Sequence, residues 1–242
     1  MRIKLLKTVI FWTLFPFVLP QAMWVRKSAP RFKDADGERF GIVGEGRPLK
    51  LVAIGDSIIA GVGATMMDKA LVGQTACSLA DQMHTSVQWK AVGKTGITSA
   101  GVVRKLVPQL PKDAPEFMIV SVGVNDVTSL TTIQAWTENL HALLSELHQY
   151  APDAVIAFAG LPPLGRFPLL PQPLRTLLGW RAQLLDQAAA EVIQNHHYAV
   201  DVPLSFDLQP ENFSADGYHP NEDSYIEYGR LMAEALISKK KA

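Results

Sequence analysis

From residue 49 onward, short apolar runs alternate with longer stretches whose apolar residues recur every three or four positions. The short runs predict strands over 49–55, 87–92, 117–122, 154–159 and 198–202. The longer stretches predict helices over 67–84, 101–110, 132–150, 174–196 and 224–237, the second of them ended by Pro111. In 132–150, Leu140, Leu143, Leu144 and Leu147 fall on one side, which is an amphipathic helix with one face to bury. Strands that are apolar throughout, rather than alternating, are buried on both faces. The expected architecture is therefore α/β, with a five-stranded parallel sheet between two layers of helices.

Ahead of this pattern lies an uncharged run, residues 8–25, with basic residues on both sides. It is at the short end for a membrane span. Trp12 and Trp24 suit the interface level, where Arg26 and Lys27 can reach headgroups. Pro16 and Pro20 would kink a spanning helix, which membrane helices tolerate. Three readings stand: an uncleaved anchor, spanning or monotopic; a cleaved signal, for which Pro20-Gln21-Ala22 is a poor site; and a helix packed on the domain. We expect an anchor or signal segment over 1–27, a Gly- and Pro-rich linker over 28–48, and one domain over 49–242. The protein is then membrane-associated, or exported if the segment is cleaved.

The chain has 242 residues, 48% hydrophobic and 19% charged, enough for one domain with a substantial core. Its net charge of zero conceals an asymmetry. Residues 1–33 carry seven basic residues and no acid, leaving 16 basic against 23 acidic residues beyond, net −7. An acidic domain argues against nucleic acid as a partner. The single cysteine, Cys77, excludes an internal disulfide framework and sits in a helical pattern as a structural thiol.

Ligands in parallel sheets bind beyond the carboxyl ends of the strands. Chemistry-bearing residues gather there. Ser57 follows the first strand in Gly55-Asp56-Ser57, and Gly96 the second. Asn125 follows the third in Gly123-Val124-Asn125-Asp126, and Asp216 and His219 follow the fifth in Asp216-Gly217-Tyr218-His219-Pro220. A serine hydroxyl needs a base, and His219 is the candidate. Asp216 can accept from its other ring nitrogen, fixing the tautomer and stabilising the imidazolium. The amides of Ser57 and Gly96 and the Asn125 side chain are candidate donors to an oxyanion.

These four segments, spanning Gly55 to Pro220, resemble the SGNH hydrolases, also called the GDSL esterase/lipase family. Ile58 stands where the family usually has leucine, and Gly93 lies close to the assigned Gly96. The resemblance implies a flavodoxin-like three-layer fold and hydrolysis of esters or thioesters. It also implies Ser57, Asp216 and His219 as the catalytic triad, Ser57, Gly96 and Asn125 as the oxyanion hole, and no metal or cofactor.

Each segment alone has a plainer reading. Gly-Asp-Ser is common, and Gly-Val-Asn-Asp can be a turn whose Asp126 binds loop amides. His84, His141, His148, His196 and His197 sit in or beside helical patterns, where surface roles are expected. Gly61-Val62-Gly63 lacks the remainder of a phosphate loop. The stretch 161–180 carries five prolines among apolar residues. It follows the fourth strand, so we expect an acyl-binding wall that includes Leu164 and Phe167, with Leu169 and Leu170.

The leading expectation is a serine hydrolase of acyl esters or thioesters, esterase- or lysophospholipase-like, working through an acyl-enzyme. An O-acetyl esterase or transferase acting on cell-envelope carbohydrate shares the triad and would show an open polar groove. A non-catalytic membrane-tethered binding protein is the third reading, against which the intact triad argues.

Overall fold

The computed structural model describes residues 2–28, 33–203 and 209–241. One sheet of six strands carries the fold, in the order β1-β3-β2-β4-β5-β6. The strands are β1 (Phe40–Val43), β2 (Pro48–Gly55), β3 (Ser86–Gly93), β4 (Phe117–Ser121), β5 (Val155–Ala159) and β6 (Ala199–Val202). The last five are parallel, as the sequence predicts.

The sixth strand corrects the expected count. β1 lies within 28–48, expected as linker, and pairs antiparallel with β3, Phe40 opposite Lys90 and Val43 opposite Val87. It is a four-residue edge strand containing Gly41, so it has no apolar run to announce it. Its order comes from the free edge of β3. Nearby, Ala35 donates to the Ala60 carbonyl and Met67 to that of Asp36, so this segment is built into the domain. Residues 29–32 of the expected linker lie outside the described residues.

Successive strand residues feed two cores, as the two-residue period of a strand requires. Val52, Ile54, Met118, Val120, Ile156 and Phe158 face one side. There they meet α5 (Ile133–Tyr150) and α6 (Leu174–Gln194). Leu51, Ala53, Phe117, Ile119, Val155 and Ala157 face the other. That side is covered by α2 (Leu71–Met83) and α7 (Glu222–Lys241). A short turn α3 (Ser99–Gly101) continues as a π-helix over Val102–Leu106, and α4 (Val124–Thr128) follows β4.

The N-terminal helix α1 (Arg2–Ser28) is the one described helix long and apolar enough to cross a membrane. It also packs on α6 along a narrow face. Phe11 and Val18 are buried, Gln21 donates to the Gln172 carbonyl (2.8 Å), and Leu174 N donates to Gln21 (3.1 Å). Its outer face leaves Trp12, Phe17, Met23 and Trp24 exposed. That composition fits a signal sequence as well as an anchor.

Candidate active site

The turn after β2 is organised by its own aspartate. Asp56 Oδ1 accepts from the Ile58 amide (3.1 Å), an Asx turn that lifts Ser57 off the strand end. Gly55 is obligatory there. A Cβ on it would lie 1.9 Å from the Ser121 carbonyl oxygen of the neighbouring strand. Further along, Gly63 (φ +101°) lets the turn approach the Pro220 carbonyl, 2.1 Å from where its Cβ would be. Glu222 accepts from both the amide and the hydroxyl of Thr65 (2.9 and 2.6 Å), a second tie between the serine turn and the loop carrying His219.

That loop is a closed circuit. Phe213 bridges Pro220, and Ser214 N donates to the His219 carbonyl (2.8 Å). Asp216 is buried at its centre. One oxygen accepts from the Ser214 hydroxyl (2.8 Å) and from the amides of Tyr218 (2.8 Å) and His219 (2.9 Å). The other meets His219 Nδ1 at 2.6 Å, and His219 Nε2 lies 2.9 Å from Ser57 Oγ. With the ring proton on Nδ1, Nε2 is the acceptor for the serine hydroxyl. Burial pushes the Asp216 carboxyl up, but the His219 ring and the amides of His219 and Tyr218 outweigh it and hold its pKa at about 2. Asp56 goes the other way. Burial raises it to about 7 against the Ile58 amide and the His219 charge.

Ser57, Gly96 and Asn125 line one cavity of about 160 Å³ with His219. Gly96 holds a left-handed φ of +81°. Asn125 sits in the first turn of α4, donating one Nδ2 hydrogen to the Ile97 carbonyl (3.0 Å). Asp126, beside it, is buried and structural. It accepts from Ser99 N (2.9 Å), Ser99 Oγ (2.7 Å) and Thr131 Oγ1 (3.1 Å). The remaining walls are mostly apolar: Val122, Val124, Leu161, Phe167, Phe213 and Tyr218.

Phe167 stands edge-on to both Phe213 and Tyr218, at 5.2 and 5.1 Å between ring centres. Leu164, expected beside it, does not line the cavity. It is fully buried in the core, in a turn (Leu164–Arg166) held against α6 where Gly165 and Gly179 meet. A Cβ on Gly179 would come 2.7 Å from Gly165 Cα, so the turn is pressed inward and its leucine with it. The sequence reading missed Ser214, Tyr218 and Phe213. Ser214 stands two residues before Asp216, and only the closure of the loop brings its hydroxyl onto the carboxylate. His141, His148, His196 and His197 gather around Tyr198, outside the cavity. No three metal-ligating side chains converge among the described residues.

The fold recurs in solved structures. A Clostridium thermocellum family 3 carbohydrate esterase superposes with a TM-score of 0.63 at 16% identity, over 81% of this chain and 98% of that one. A psychrotrophic esterase from Pseudoalteromonas sp. gives 0.61 at 16%, over 80% and 99%. A lipase/acylhydrolase from Enterococcus faecalis gives 0.61 at 22%, over 79% and 96%. At such identities the likeness speaks for the fold alone. A search of curated proteins finds no match. Residues 53–225, from the strand ahead of Ser57 to just past His219, match the GDSL-like Lipase/Acylhydrolase family. With that match covering most of the sheet and every cavity residue except Tyr228, the chain belongs to the GDSL-like lipase/acylhydrolase family of hydrolases.

Proposed function

We propose that the protein hydrolyses carboxylic esters or thioesters of acyl groups through an acyl-enzyme on Ser57. The observation that carries this is the line Ser57 Oγ, His219 Nε2, His219 Nδ1, Asp216 Oδ2, with contacts of 2.9 and 2.6 Å at its two ends. His219 takes the serine proton as Oγ attacks the carbonyl carbon. The amides of Ser57 and Gly96 and the free Nδ2 hydrogen of Asn125 receive the oxyanion. His219 then gives the proton to the departing alkoxide or thiolate. A water repeats the sequence to release the acid and regenerate Ser57.

The apolar cavity walls favour an acyl chain over a sugar, which supports the esterase or thioesterase reading over O-acetyl carbohydrate hydrolysis. Phe167 belongs to that acyl wall. The exposed Trp12, Phe17 and Trp24 of α1, followed by Arg26 and Lys27, support an anchor that keeps the domain at a membrane and near lipid-borne esters. An acyl-chain-length series on purified protein, with p-nitrophenyl esters and O-acetylated sugars side by side, tests the reading. It predicts turnover of the acyl series that Ser57→Ala abolishes. Turnover of acetylated sugar alone would shift the assignment to the carbohydrate reading. Inactivity throughout, with no labelling by a fluorophosphonate, would leave a binding protein.

A further inference from the structure

Helix α4, which carries Asn125, is only five residues long. So short a helix has little stability of its own; its end carbonyls take local bonds from the chain that follows, the one from Leu130 N to Val127 O long at 3.3 Å, and gain from an outside donor. They have one in Arg181, on α6. Its Nε donates to the Val127 carbonyl (3.1 Å), and its Nη2 donates to the carbonyl of Thr131, just past the helix. Arg181 is 5% exposed, although arginine is rarely buried without a carboxylate in direct contact. No ion pair to it is seen among the described residues, while burial disfavours its charge and the charge of Asp126 favours it. Two aromatic rings of α1 cover it, Phe11 at 5.1 Å and Trp12 at 5.6 Å from Cζ to ring centre. A planar fork buried this way holds its two carbonyls in fixed geometry, which a flexible ammonium does not.

The same helix is held at its other side by Asp126 on Ser99, with Asn139 donating to Ser99 Oγ (3.1 Å). Between these two holds, Asn125 turns one Nδ2 hydrogen to Ile97 and leaves the other for the cavity. We infer that Arg181 is a positioning residue for the reaction, acting from outside the cavity by bracing α4 so that Asn125 points its amide at the developing oxyanion. This rests on the reading of Asn125 as an oxyanion donor. Arg181 does not touch substrate, so it acts on the rate of the chemical step and not on substrate affinity.

The test is a double-mutant cycle on the full-length protein with a short p-nitrophenyl ester, using Arg181→Met, Arg181→Lys, Asn125→Ala and the combinations. Displacing one oxyanion donor predicts a kcat about ten- to hundredfold lower in Arg181→Met with KM little changed, and a smaller loss in Arg181→Lys. In the Asn125→Ala background the same Arg181 substitutions should change kcat by no more than about twofold, the scatter of independent sites. A merely structural arginine would lower kcat by the same factor in both backgrounds, and that result overturns the inference. So does a wild-type kcat in folded Arg181→Met. If Arg181→Met does not fold, Arg181→Lys carries the cycle by the same criteria. A wild-type rate in Asn125→Ala alone, with Ser57→Ala inactive, would instead remove the oxyanion reading beneath the inference while leaving the hydrolase assignment standing.

Discussion

Replacing Asp216 by asparagine separates its electrostatic role from its structural one. Asp216 uses one oxygen for three donors, Ser214 Oγ, Tyr218 N and His219 N, and the other for His219 Nδ1. The asparagine carbonyl can keep the first three. Its NH₂ then faces Nδ1, and two donors cannot meet. The imidazole must turn its lone pair to Nδ1 and put its proton on Nε2, where it faces Ser57 Oγ as a donor and cannot accept the serine proton. The loss expected from a wrong tautomer is about 10⁴ in kcat, or about 5.5 kcal/mol of transition-state stabilisation. A second consequence concerns stability. The folded pKa of about 2 lies below the ordinary 3.8, so the carboxylate stabilises the fold above pH 3.8 and loses that contribution as pH falls through 2. Its size at neutral pH is on the order of 2 kcal/mol. Asp216→Asn should therefore lower kcat on a short ester by about four decades and flatten the acid limb of the denaturation profile. Steady-state kinetics and urea unfolding between pH 2 and 7 measure both. Activity within about tenfold of wild type, with Asp126→Asn inactive, would show that the histidine is oriented by the wrong carboxylate in this account.

Three other outcomes follow from the geometry. Burial holds Asp56 at about 7 instead of 3.8, so its ionisation costs stability progressively from pH 4 to 7, up to about 4 kcal/mol; Asp56→Asn should remove that decline in a urea-unfolding series, and an unchanged slope would contradict it. Phe167→Leu opens the cavity wall while staying apolar, and should move the chain-length optimum upward, with up to about tenfold in kcat/KM for each further methylene accepted; an unchanged profile would place the acyl chain elsewhere. Deleting residues 1–27 uncovers the surface under Phe11 and Val18 and the Arg181 fork beneath Phe11 and Trp12; it should lower stability by about 2–5 kcal/mol, release the protein from the membrane fraction and leave short-ester turnover, since every cavity residue lies beyond it, with kcat reduced no further than in Arg181→Met; full-length protein found soluble and starting near Met23 would mark the segment as a cleaved signal.

The five parallel strands were legible because each is a short, mainly apolar run: β4 and β5 are buried throughout, while β3 carries Gln88 and Lys90 and the edge strand β6 carries Asp201 among apolar residues. Strand β1 was not, because Phe40–Val43 is ordered by its partner β3 and not by its own pattern. The candidate triad was legible as two motifs beyond two strand ends, with the Asn125 motif beyond a third, where topology alone converges them. What holds those motifs in place was hidden. The Ser214 hydroxyl on Asp216, the Asx turn of Asp56 and the fork of Arg181 are contacts set by loop closure or by tertiary packing. Leu164 and Phe167 look alike in an apolar proline-rich stretch. Only the meeting of Gly165 with Gly179 decides that one enters the core and the other the cavity. The arm was read from its composition, which carries no information on the face by which Phe11 and Val18 dock on α6.

The central claim is that Ser57 is the nucleophile and His219 its base. Intact-mass analysis after exposure to a fluorophosphonate measures this directly, because the Ser57 oxygen must displace fluoride from phosphorus to form a stable adduct. The account predicts one adduct per chain, mapped by peptide sequencing to Ser57, forming at a rate that collapses in His219→Ala and absent in Ser57→Ala. An adduct on another residue, or labelling of Ser57→Ala at the wild-type rate, would contradict it.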